Sequence, residues 1–174
     1  MNLNKERKNI EAALDEYRSL LETIPDDVFT ETPPDGGWSY AEVYSHITKA
    51  TLGASIALER CAHGSCEPTN KGLTLIGRLM MLTGSIQRSK APAELEAKIP
   101  AVKISKEEAK NALIKCRKRV DDVFPLIEKA SATSRILHRR AGMLNAKQWF
   151  KFIRIHLYHH LKQIQRIRKK FSAA

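Results

Sequence analysis

The chain predicts an all-α protein, a four-helix bundle with a long crossover connector between its second and third helices. Three observations carry that expectation. Apolar residues recur at steps of three and four in four separate stretches. Three of those stretches open on recognisable helix-start signals. A long connector, proline-punctuated in its second half, separates the second stretch from the third. No internal repeat, low-complexity tract or credible set of strands competes with this reading.

The first helix is expected over residues 4–21 or a little beyond, where Ile10, Leu14, Tyr17, Leu21 and Ile24 share one face. Pro25, then Pro33-Pro34-Asp35-Gly36-Gly37, ends it in a loop. The second helix starts at the capping box Ser39-Tyr40-Ala41-Glu42, whose hydroxyl and carboxylate satisfy amides that the first turn leaves unpaired. It continues to about Cys61. The connector, residues 64–104, holds one short apolar helical piece at 73–82 and a stretch with Pro92 and Pro100. Such a length lets the chain cross the bundle before the next helix begins. A second capping box, Ser105 to Glu108, opens the third helix, which is expected to kink at Pro125. The fourth opens at Asn145-Ala146-Lys147-Gln148, with Asn and Gln in the two capping roles, and runs to about Lys170.

At 174 residues the chain suits a single domain, 1–174. Apolar residues at 43% and charged residues at 28% exclude a largely disordered chain. The first eight residues are polar with no apolar run behind them, which excludes a secretory signal of the usual form. The apolar stretch 72–84 is too short to span a bilayer and carries Arg78. Three cysteines, Cys61, Cys66 and Cys116, are too few and odd in number for a disulfide framework. The expectation is a cytoplasmic protein with reduced thiols and no membrane association. A net charge of +11 raises nucleic acid as a partner. Against it stand an aromatic content of 6% and the lack of a helix-turn-helix or other readout motif. Lys147, Lys151, Arg154, Lys162 and Arg166 equally suit the solvated face of the fourth helix. A non-catalytic basic helical protein that binds nucleic acid or another macromolecule is thus the alternative reading.

Three of the six histidines crowd into His156-Leu157-Tyr158-His159-His160. On a helical wheel, Trp149, Phe150, Ile153, Leu157, Leu161, Ile164, Ile167 and Phe171 define the apolar face. His160 falls near its centre, His156 on its shoulder and His159 on the flank. Imidazoles four residues apart stack one turn apart and can both reach one metal ion. The competing reading is a pair of core histidines hydrogen-bonded to backbone or water, since a buried imidazole needs some partner. In the second helix His46 lies at the edge of the face made by Val43, Ile47, Ala50, Ala54 and Ala57. Its neighbours on later turns, Ala50, Gly53 and Ala57, are small, which leaves room for a ligand or else permits close helix packing. His63 lies between Cys61 and Cys66 in a spacing that matches no standard zinc pattern, and reads as a loop residue. His138, before Arg139 and Arg140, falls in the loop leading to the fourth helix, in a structural or substrate-facing role.

Trp38-Ser39 ahead of His46, together with the run from His156 to Gln163, resembles the DinB-like (DinB/YfiT-like) metalloprotein superfamily. The segment from His138 to Trp149 is similar to one uncharacterised branch, apart from Arg139 where that branch more often carries proline. The resemblance implies a four-helix bundle with a crossover connection, a homodimer, and a divalent metal, commonly zinc or nickel. It implies that the ligands are His46, His156 and His160. Three neutral nitrogen donors leave a coordination position open, the layout of a catalytic metal. The implied chemistry is small-molecule S-transfer, with a low-molecular-weight thiol as co-substrate, or hydrolysis. Asp35, Glu42 and Glu59 are expected on loop or solvent-facing positions, which leaves no carboxylate in place as a general base and tilts the reading toward thiol chemistry.

Overall fold

The computed structural model describes residues 1–86 and 101–172. Helix α1 spans Leu3–Thr23, the short α2 Asp26–Phe29, α3 Tyr40–Ala62, α4 Leu75–Thr83, α5 Lys106–Val123 and α6 Ala146–Ser172. The four long helices, α1, α3, α5 and α6, form the bundle, with boundaries close to those read from the periodicity. Both capping boxes are made, at Ser39 with Glu42 and at Ser105 with Glu108. Asn145 and Gln148 make the equivalent exchange, each side-chain oxygen accepting from the other's backbone N–H at 3.0 Å.

Helix α6 packs against both α1 and α3, while α5 closes the ring by packing against the same two helices. Contacts fix the directions. Cys116 of α5 lies against Thr48, and Arg119 against Ser55 and Glu59, so α3 and α5 run side by side in the same sense. Lys106 reaches Ile24 while Arg7 reaches Asp121, so α1 runs opposite to α5. Two buried tyrosines tie three helices together. Tyr44 donates to the carbonyl of Tyr17 at 2.7 Å, and Tyr17 donates to that of Leu157 at 2.8 Å. Each hydroxyl thereby escapes the cost of an unpaired polar group in a core of Ile10, Ile47, Leu58, Ile153 and Leu157.

Two expectations need correction. Pro125 does not kink α5, because the helix stops at Val123 and the proline sits inside a 3₁₀ turn, Phe124–Leu126. A proline at that point removes a helical N–H and clashes with the preceding turn, so the chain ends the helix there. The absence of strands is also overturned. Arg135–His138 (β1) and Gly142–Asn145 (β2) pair antiparallel, with Arg135 opposite Asn145 and His138 opposite Gly142. The connector runs along this hairpin, making isolated bridges from Pro68 to Ser134 and from Leu73 to Gly142. The helical piece expected at 73–82 is α4. It lies on the hairpin and on α6, with Thr74 donating to the carbonyl of Arg140 at 2.7 Å. The stretch with Pro92, and Pro100 with it, falls outside the described residues. No helix among the described residues is long and apolar enough to cross a membrane.

Candidate metal centre

The site begins with the cap of α3. Ser39 Oγ accepts from the Glu42 N–H at 3.3 Å, and the Glu42 carboxylate accepts from the Ser39 N–H at 2.8 Å. This holds the start of the helix, and two turns on it presents His46 toward α6. Trp38, just ahead of the cap, covers the pair of helices. Its ring lies 5.0 Å from that of His46 and stacks at 6.3 Å, almost parallel, over that of His160.

Helix α6 contributes His156 and His160 one turn apart. The Nε2 atoms of His46 and His156 are 3.4 Å apart, and those of His160 and His156 are 3.0 Å apart. The ligand atoms of all three residues lie within 4.8 Å of one another. A tetrahedral ion with Zn–N bonds of about 2.0–2.1 Å sets its donors about 3.3 Å apart, so the two spacings to His156 fit a common ion. His160 also shows which nitrogen is free. Its Nδ1 lies 2.7 Å from Gln163 Oε1, an atom that can only accept, so the proton sits on Nδ1 and Nε2 presents a lone pair. Lone pairs facing one another at this distance repel unless a cation or proton lies between them.

Burial keeps the imidazoles neutral. It lowers the pKa of His46 to about 4, helped by His159, and that of His160 to about 3, helped by His46 and His159. His156 is pushed well below its ordinary value by burial first and by the neighbouring histidines second. Neutral imidazole is the form that ligates metal. His46 Nδ1 is buried without a hydrogen-bond partner. Among the described residues this is the one cluster of histidine, cysteine or acidic side chains with metal-binding geometry.

The other candidates separate from the cluster. His159 is half-buried on the flank of α6, its ring 5.0 Å from that of His160. His63 caps the end of α3 and is exposed. His138 ends β1, accepts at Nδ1 from the backbone N–H groups of Arg140 and Ala141, and packs edge-on against Phe152 at 4.5 Å. Its role within the described contacts is to close the hairpin. Phe152 was not marked by the wheel, yet it is buried and stacks on His156 at 5.2 Å. Its lone position beside the main apolar stripe was the available signal. Gly53 is exposed, and a Cβ there would meet nothing within 4 Å, while Ala50 and Ala57 are half-buried. The carboxylates Asp35, Glu42 and Glu59 are engaged elsewhere, with Lys170, the Ser39 cap and Arg119.

Four long helices with three histidines converging between two of them define a helical bundle that carries a candidate metal centre. The chain belongs to the DinB superfamily, whose family model matches residues 9–164. Solved structures share the fold. TT2238, described as a four-helix bundle protein, aligns with a TM-score of 0.61 at 19% identity, over 94% of this chain and 98% of its own. YfiT from Bacillus subtilis is described as a probable metal-dependent hydrolase with an unusual four-helix bundle topology. It aligns with a TM-score of 0.64 at 14% identity, over 98% of this chain and 87% of its own. A mycothiol-dependent maleylpyruvate isomerase aligns at 0.59 with 11% identity, over 91% of this chain but 58% of its own length. The chain therefore spans little more than half of that enzyme. Comparison with curated proteins gives no match. Likeness at these identities speaks for the fold alone.

Proposed function

We propose that the chain is a metal-dependent enzyme acting on a small molecule, with a divalent ion, zinc or nickel, held by His46, His156 and His160. The convergence of three Nε2 atoms from two helices carries this reading. A divalent ion on three neutral imidazoles keeps its full charge and an open position, and supplies Lewis-acid chemistry toward a thiol, a water or a carbonyl. The residues around it do three things. Gln163 holds the proton of His160 on Nδ1, Trp38 shields two of the ligands from solvent, and Phe152 braces the third.

Between S-transfer and hydrolysis, the surroundings favour thiol chemistry. A hydrolase needs a general base beside the reacting water, and the nearby carboxylates are bound in a cap and in ion pairs. A low-molecular-weight thiol is more acidic than water and would pass its proton to solvent on binding a divalent ion, so it needs no residue placed as base. Neighbouring folds described as a probable metal-dependent hydrolase and a mycothiol-dependent maleylpyruvate isomerase are in keeping with both branches. A cytoplasmic homodimer belongs to the same proposal. Nucleic-acid binding is disfavoured, because the cationic stripe expected on α6 is broken where Arg154 pairs with Glu6 at 2.6 Å.

Metal analysis of protein purified without an affinity tag tests the proposal. His160→Ala should lose its metal while His159→Ala keeps it, and equal content in the two would refute the ligand set. Incubation with mycothiol, bacillithiol, glutathione and simple esters then separates transfer from hydrolysis.

A further inference from the structure

The far end of α3 carries a second cluster of reactive side chains, apart from the histidines. Cys61 lies in the last turn, and Cys66 follows beyond the His63 cap. Gly64 takes the left-handed conformation, φ +65°, and turns the chain back over the helix end. There the Gly64 N–H donates to the carbonyl of Cys61 at 3.3 Å, and the Ser65 N–H donates to that of Arg60 at 3.0 Å. The reversal brings the Cys66 thiol to 4.0 Å from the Arg60 carbonyl and within hydrogen-bond reach of the Cys61 thiol. The hairpin completes the surroundings. Ser134 Oγ, just ahead of β1, lies 3.0 Å from Cys66 Sγ, while Cys61 donates to the carbonyl of Leu144 in β2 at 3.6 Å. Solvent reaches the two thiols unequally, since Cys61 is fully buried and Cys66 is partly exposed. Burial, with the neighbouring thiol second, pushes Cys61 up to about 12, so it stays protonated at neutral pH. Beside Cys66, by contrast, the Ser134 hydroxyl can donate to a thiolate, the form that reacts.

We propose that Cys61 and Cys66 form a reversible intrachain disulfide by exchange with a low-molecular-weight disulfide, Cys66 reacting first and Cys61 resolving. Cys66 gives its proton to water and attacks one sulfur of the small disulfide, whose S–S bond breaks and releases one thiolate. The Cys61 sulfur then attacks that of Cys66, and the second small thiolate leaves with the Cys61 proton. Two cysteines are oxidised, and one small disulfide is reduced to two thiols. The ring closed from 61 to 66 is six residues long, and so short a loop gains little from chain closure. Excess thiol therefore reopens it, as suits a switch and not a staple. Cys116 is the contrast, buried in α5 with its thiol donating to Thr48, more than three turns along α3 from Cys61. His46 is about four turns from Cys61, so the pair works whether or not the histidines hold a metal.

Incubation of the full chain with glutathione disulfide, followed by acid quenching, alkylation under denaturing conditions and peptide mass spectrometry, tests the pair. The wild type should yield a peptide cross-linked from Cys61 to Cys66, with two glutathione molecules released per chain and Cys116 still free. Dithiothreitol should restore both thiols. Cys61→Ala should keep glutathione on Cys66 as a mixed disulfide, and Cys66→Ser should take up none. Cys66 is partly exposed and its serine variant exchanges one atom, so that variant retains the fold and decides the matter if Cys61→Ala does not. His160→Ala should cross-link as the wild type does, which keeps the outcome separate from that of the metal proposal. A wild type that stays reduced, one that holds glutathione on Cys66 without closing the bond, or a cross-link to Cys116 would overturn the assignment. So would glutathione uptake by Cys66→Ser at the wild-type level.

Discussion

Gln163 shows how one side chain prepares another. His160 lies on the inner face of α6, and an imidazole there has two nitrogens and two possible tautomers. The amide oxygen of Gln163, 2.7 Å from Nδ1, selects the tautomer whose Nε2 faces His46 and His156. Partners of this kind also raise the basicity of a ligand, and their loss costs about 10- to 100-fold in metal affinity. Gln163→Leu should therefore weaken zinc binding by about that factor in competition with a chromophoric chelator, and Gln163→Glu should preserve it. Equal affinity in the Leu variant would remove Gln163 from the centre. The three ligand candidates were legible from the wheel and the resemblance together. Phe152 was not, because a wheel sorts residues by one apolar stripe. Helix α6 is covered on more than one side, by α1 and α3 and by α4 and the hairpin, so its buried surface is wider than that stripe.

Among the elements, α4 and the hairpin are the pair whose fit depends most on close approach. Gly77 of α4 packs on the turn of the hairpin, and a Cβ there would collide with the backbone carbonyl of Ala141. Neither side can yield cheaply. Gly142 at the end of that turn has φ +87°, a conformation that a side chain disfavours, and it too lies against the backbone of the connector. Gly53 is the contrasting case, a helical glycine with open space where its Cβ would be. Gly77→Ala should destabilise the protein by about 1–3 kcal/mol, as overpacking does. Gly53→Ala should stabilise it by about 1 kcal/mol through helix propensity alone. Urea unfolding of both variants reads the difference, and a shift of the same sign in the two would contradict it. The hairpin escaped the sequence reading for a related reason. Its strands are four residues each, too short for alternation to stand out from a helical or loop pattern. They hold because the connector bridges to them from Pro68 and Leu73, far away in the chain.

Taken as a whole, the molecule holds several imidazoles neutral in buried or half-buried places, and this couples its stability to pH. His138 is held to about 4 by burial first and by the nearby Arg140 charge second, and its Nδ1 lone pair is committed to two backbone N–H groups. An unfolded histidine takes up its proton near 6.5, so below that pH the unfolded chain binds more protons than the folded one. The sign follows directly. Stability present above about pH 6.5 is lost as the pH falls toward 4, and for His138 the full loss is on the order of 3 kcal/mol. His46 and His160 act in the same direction in metal-free protein. Unfolding midpoints of metal-free protein between pH 7.5 and pH 4 should fall more steeply for the wild type than for His138→Phe. Parallel curves would show that His138 titrates freely in the fold.

Helix positions, their caps and their inward faces were readable in advance because they arise from contacts within one or two turns. Ser39 with Glu42 and Ser105 with Glu108 are examples, and each pair carries its whole interaction in four consecutive residues. The meeting of His46 with His156 is of another kind. More than a hundred positions separate them, and their Nε2 atoms approach to 3.4 Å because Tyr17, Tyr44 and Leu157 lock three helices in one register. Local chemistry chooses a helix and its buried side, whereas the distance between two donors depends on how whole helices slide and turn against each other, a quantity that core packing sets.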